Sequence, residues 1–306
     1  MRFGAYLPNM MHIPVLTQPW EWNLTAADVV RVLRLAEELD FDCGVVPEHF
    51  LIPTAHLEST GDHYFDATTA QAFLAGATTR IKLLSSVTIL PLHHPVVIAK
   101  AIATLDWFSG GRSIIGVGVG WLKEEFDLLR VPFDRRGRMA DEYLAAMLEL
   151  WDSESPSFEG EFVSFDNVGF KPKPIQRPHP PLWVGGDADG ALRRAARFGD
   201  GWIPWLTQPQ DLLARVDFLR AQPGFDDRPF DICYSLAGLA LGDQHVTTND
   251  PRAKVGRDAQ QIIDNCSHLK ELGVTVTSVL PPPLPDCEAY LDFLRWLAAD
   301  VVPAVA

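Results

Sequence analysis

Glu48 and His49, in the stretch "GVVPEHF", stand where an apolar run ends, and imidazole is the side chain best suited to proton transfer near neutral pH. At the end of a strand such a histidine can exchange a proton with a substrate or donate a hydrogen bond to a substrate oxygen. Its plainer role is that of a packed loop residue. A second candidate is the run "LDWFSGGRSIIGVGVGW", where Gly116, Gly118 and Gly120 alternate before Trp121. A dinucleotide fingerprint needs G-x-G-x-x-G, and Trp121 occupies the position of its last glycine. Gly110 and Gly111 read as the end of a helix. The bare backbone at Gly118 and Gly120, with Trp121 beside it, reads as room for something flat with an aromatic wall. A third candidate is Gly185-Gly186 in "LWVGGDADGALRRAARFGDGW", between a strand and a helix, where free N–H groups and a helix N-terminus suit a phosphate. A simple tight turn is the alternative there.

Composition removes several classes of function. The 306 residues are 47% hydrophobic and 22% charged, enough for a large core. A net charge of -14 disfavours a nucleic-acid partner. No stretch has the length of a membrane span, and "MRFGAYLPNM" reads as a first strand and not as a signal peptide. Cys43, Cys233, Cys266 and Cys287 are widely spaced, so neither a zinc site nor a disulfide framework is indicated, and the cytoplasm is the expected location. A metal-dependent barrel hydrolase lacks its ligand signatures: the first strand has no His-x-His and the chain no H-E-x-x-H.

The elements that must position these residues alternate. Strand-like runs begin near Arg2, Cys43, Lys82, Ser113, Leu182, Trp202, Phe230 and Val274. Amphipathic helices follow them, the first announced by Thr25 and Asp28 at capping-box spacing and another by the stripe Met139, Tyr143, Ala146, Met147, Leu150 and Trp151. Eight strand-helix units predict a closed parallel α/β barrel of the (β/α)8 TIM type, as one domain over residues 1–306, with its chemistry at the strand C-termini. Residues 152–181 break the rhythm as an insertion before the fifth strand, with "FEGEFVSFDNVGF" alternating like a hairpin. The arginines of "DRRGR" are expected to pair with Asp134, Asp141 and Glu142. The many apolar helix residues make a homodimer plausible.

From Asp28 through Trp205 the sequence resembles the bacterial luciferase-like flavin oxidoreductases, in particular the branch that uses coenzyme F420. The resemblance rests on "AEELDFDCGVVPEHF", "TTRIKLLSSVTILPLHHPVVIAKAIATLDWFSGGRSIIGVGVGWLKEEF", "RRGRMADEYLAAMLELW" and "PPLWVGGDADGALRRAARFGDGW". It implies a luciferase-like barrel that passes a hydride between the deazaflavin F420 and a small organic substrate, with FMN as the alternative cofactor. It implies His49 as the catalytic proton-transfer group, with Glu48 beside it among the cofactor-binding residues. It places a bulge with a non-proline cis peptide at Ser86-Val87, with Val87 as a backstop for the ring. Gly118, Gly120 and Trp121 then line the ring, and Gly185 and Gly186 take its phosphate. Trp121 stands where a sugar-phosphate dehydrogenase of the family has a catalytic glutamate, so a more apolar substrate is expected, with Trp20, Phe50, Tyr64, Trp121 and Trp205 as candidate lining. An FMN-dependent monooxygenase and a flavin-binding barrel without turnover are the alternatives.

Overall fold

A computed structural model describes residues 1–14, 16–226, 228–236, 241–242, 245–246 and 259–305. Its centre is a closed barrel of eight parallel strands: β1 (Arg2–Ala5), β2 (Cys43–Val46), β3 (Lys82–Ile89), β4 (Ser113–Gly118), β5 (Leu182–Gly185), β6 (Gly201–Ile203), β7 (Asp231–Leu236) and β8 (Val276–Val279). Each strand begins within two residues of its expected start. Chain order is also barrel order, with β8 closing on β1 through the pairs Arg2/Val276 and Gly4/Ser278. Such a cylinder has no exposed edge and puts alternate side chains inside and outside.

The outward residues of the strands meet the helices. α1 (Ala26–Glu38) starts where the Thr25 side chain and Asp28 cap each other reciprocally. It is followed by α2 (Ala67–Ala77), α3 (Pro95–Ser109), a six-residue α4 (Lys123–Leu128) and α5 (Arg136–Asp152). After the insertion come α6 (Asp189–Phe198), α7 (Pro209–Arg220), α8 (Ala259–Glu271) and α9 (Cys287–Trp296). The predicted stripe of α5 is buried in full and packs against Ile102, Val117 and Val184. A separate cluster of Cys43, Leu84, Ile114, Trp183, Ile203 and Val276 fills the barrel interior.

Within the insertion, Phe158–Glu159 and Ser164–Phe165 form the expected antiparallel hairpin. Its turn is held by Glu142, whose carboxylate accepts from the amides of Glu161, Phe162 and Val163. The expectation for the arginine cluster is corrected by this arrangement. Because Glu142 is committed to those amides, Arg135 and Arg138 pair with Glu161 of the hairpin, and Asp141 pairs with Arg194 of α6. At the opposite end of the barrel the buried Asp106 accepts from Ile175 N, Gln176 N, the Gln176 side chain and the Ser113 hydroxyl, which ties the insertion to the foot of β4.

Candidate active site

The strand C-termini carry nearly every candidate residue. β3 is bulged there: Ser85 pairs with Ile115 and Thr88 with Val117, so Ser86 and Val87 together oppose Gly116. The Ser86-Val87 peptide is cis. Both residues are partly exposed at the barrel mouth.

This bulge changes the reading of the glycines. A Cβ on Gly118 would lie 2.4 Å from Val87 Cγ2, and one on Gly185 would lie 2.8 Å from Val87 Cγ1. Gly116 faces the Ser85 carbonyl oxygen, 2.0 Å from where its Cβ would be. The space left open by Gly118 and Gly185 is filled by the Val87 side chain. Gly120, at φ 76°, has a backbone conformation suited to glycine, and a Cβ there would meet Phe126 and Ile89. Its carbonyl accepts from Arg136 Nε at 3.2 Å.

His49 follows β2 by three residues, and its ring is fixed by a residue that sequence reasoning missed. His49 Nδ1 lies 2.9 Å from Glu125 Oε2, and Glu125 Oε1 accepts from the amides of Phe50 and Leu51 at 2.6 and 3.2 Å. Glu125 is completely buried. It is drawn inward because Leu122 and Phe126, four apart and both buried, anchor α4, while Lys123 and Asp127 pair on the outer face. Since Nδ1 donates to this carboxylate, Nε2 is left to work on a ligand. Tyr64 and Trp121 meet the imidazole edge-on, with ring centroids 4.9 and 6.1 Å away. Burial and the nearby Glu125 push the Tyr64 phenol well above its ordinary range. Trp121 also meets His56, which lies 3.6 Å from Glu124.

Glu48 points to the other side. It is buried, and its Oε2 accepts from Ile89 N at 2.9 Å and lies 2.8 Å from His93 Nε2. Its Oε1 is buried without a partner. At the end of β1, Asn9, at φ 64°, lies 2.6 Å from His12 Nε2 through its side chain, and its carbonyl lies 3.2 Å from His63 Nε2. The two imidazoles stack at 4.0 Å, joining the β1 loop to the loop that carries Tyr64. Desolvation lowers the His12 pKa from its ordinary value.

The glycine turn is also altered in detail. Gly186 N donates to the Ile203 carbonyl at 3.0 Å, so this amide is already used. In the first turn of α6 the N-cap Ala188 makes no side-chain cap and is flanked by Asp187 and Asp189, while Ala191 N donates to the Ala188 carbonyl at 2.8 Å. Asp187 accepts from the amides of Trp205, Leu206 and Thr207. Of the aromatic candidates, Tyr64 and Trp121 reach His49 and Phe50 packs on His93, whereas Trp20 packs on Tyr290 and Trp205 is exposed. Among the described residues no group of three or more His, Cys, Asp or Glu could hold a metal, and no helix is long and apolar enough to cross a membrane.

A closed eight-stranded barrel with a bulged third strand and a carboxylate-held histidine at its mouth frames the candidate site. The chain belongs to the luciferase-like monooxygenase family, whose sequence pattern it matches over residues 1–275. It is 39% identical to the uncharacterised protein Rv0953c of Mycobacterium tuberculosis over 256 residues, 79% of this chain and 83% of that one. It is 30% identical to an FMNH(2)-dependent dimethylsulfone monooxygenase of Pseudomonas putida over 229 residues, 72% of this chain and 61% of that one. A coenzyme F420-dependent tetrahydromethanopterin reductase from Methanopyrus kandleri has the same fold, with a TM-score of 0.77 at 18% identity over 100% of this chain and 99% of that one.

Proposed function

We propose that this protein is an F420-dependent oxidoreductase that transfers a hydride between the deazaflavin and a small, largely apolar organic substrate. The observation that carries the reading is the His49–Glu125 pair, edge-packed by Tyr64 and Trp121. The residues present fit a flat ring: Val45, Ser86 and Val87 are partly exposed at the mouth, and Val87 is braced from behind by Gly118 and Gly185. For the anionic tail, the first turn of α6 beyond Gly186 offers the donors.

When bound, a deazaflavin supplies hydride transfer with little oxygen reactivity, whereas FMN supplies oxygen activation. The chain's own groups do the rest. His49 Nε2 exchanges a proton with the substrate atom that gains or loses it, and Glu125 holds the tautomer and stabilises the imidazolium when it forms. Tyr64 and Trp121 keep water from that proton and select for apolar surface.

An FMN-dependent monooxygenase is the second reading, favoured by the similarity to the dimethylsulfone enzyme. Titration of the purified protein with F420 and with FMN decides between them, followed by rapid mixing of the reduced complex with candidate substrates. Tight FMN binding without F420 binding overturns the F420 assignment. Binding of neither argues against a flavin enzyme altogether.

A further inference from the structure

Two serines on neighbouring strands face the barrel interior at its open end. Ser235 of β7 and Ser278 of β8 are opposite in register, two residues beyond Cys233 and Val276, which pack in the interior cluster. Side chains two apart along a strand share a face, so both hydroxyls enter the mouth. Their oxygens are 2.9 Å apart. Ser235 is exposed and Ser278 half-buried, although both belong to the inner wall.

A hydroxyl has one donor and two acceptor lone pairs. The mutual bond uses one of each, leaving one O–H and three lone pairs available to a ligand. Cys233 and Val276, two residues back on the same strand faces, belong to an apolar interior cluster with Val45, Val87 and Ile203. The pair is thus a neutral polar spot beside an apolar cluster, able both to give and to accept.

We propose that Ser235 and Ser278 form a subsite for an uncharged hydrogen-bonding edge: a carbonyl, hydroxyl or imide. This rests on the flavin reading only in its choice of occupants. Two sources carry this chemistry, the pyrimidine edge of the cofactor ring and an oxygen on the substrate.

The test compares wild type with Ser235→Ala/Ser278→Ala by thermal melting, fluorescence titration with F420 and FMN, and calorimetry with cyclohexanone and methylcyclohexane. A folded variant should lose roughly fivefold in affinity, the worth of one neutral hydrogen bond, for the cofactor if the ring is the occupant. It should lose it for cyclohexanone if the substrate is. Methylcyclohexane affinity should be unchanged in both cases. A folded variant with cofactor and cyclohexanone affinities both equal to wild type overturns the subsite. If neither cofactor binds wild type, the flavin reading falls by itself, and the cyclohexanone comparison on the free protein still decides the subsite.

Discussion

At the scale of single residues, His49 and Glu125 behave as a unit. His49→Ala should lower turnover by about 10²- to 10⁴-fold, the usual worth of a positioned acid-base group, while cofactor affinity changes little. Equal losses in steady-state turnover and in the binding titration would assign His49 to the cofactor instead. Glu125→Gln keeps the shape and one acceptor for the Phe50 and Leu51 amides but removes the charge behind the imidazole. It should cost about tenfold or more in kcat and shift the pH profile, with a normal melting temperature. His49 was legible because a histidine stands at a strand end. Glu125 was not, because its partner is 76 positions away and the helix that aims it has only six residues. The acid pair before Phe126 was the only signal, and nothing in it tells which carboxylate turns inward.

At the scale of elements, the bulge of β3 and the glycines of β4 and β5 are one packing solution. Gly118→Ala pushes a methyl into Val87 and should destabilise by about 1 to 3 kcal/mol, as overpacking does. Val87→Ala in the same chain should recover part of this. Gly116→Ala meets a backbone carbonyl, which no side-chain change relieves, and should be the more damaging of the two in denaturant titration. A larger loss for Gly118→Ala would contradict the geometry. The eight strands were legible from alternating hydrophobic runs, and α1 and α5 from their caps and stripes. The destination of the glycines' free space was not, because a missing side chain does not say which neighbour takes its place.

At the scale of the whole molecule, the interior holds acids that resist ionisation. Burial pushes the Cys233 and Cys266 thiols up to about 12 and holds the Cys43 thiol well above its ordinary value, while Tyr6 and Tyr290 are also raised, chiefly by burial. For a thiol whose folded pKa exceeds its unfolded one, near 9.0, the stabilisation is complete below the unfolded value and is lost as pH climbs toward the folded one. Chemical denaturation should therefore show a stability that is flat with respect to these groups up to about pH 9 and falls steadily between 9 and 12. No decline in that window would mean that these thiols are not buried as described.

Residues 48–51 also have a meaning for inheritance. One carboxylate of this stretch reaches the end of β3 and His93, while its histidine and two amides reach Glu125 after β4. The segment is a crossbeam between two neighbouring loops, and neither can be exchanged for a foreign sequence without loosening the imidazole. Loop grafting, whether by recombination or in the laboratory, should succeed only when the three segments travel together.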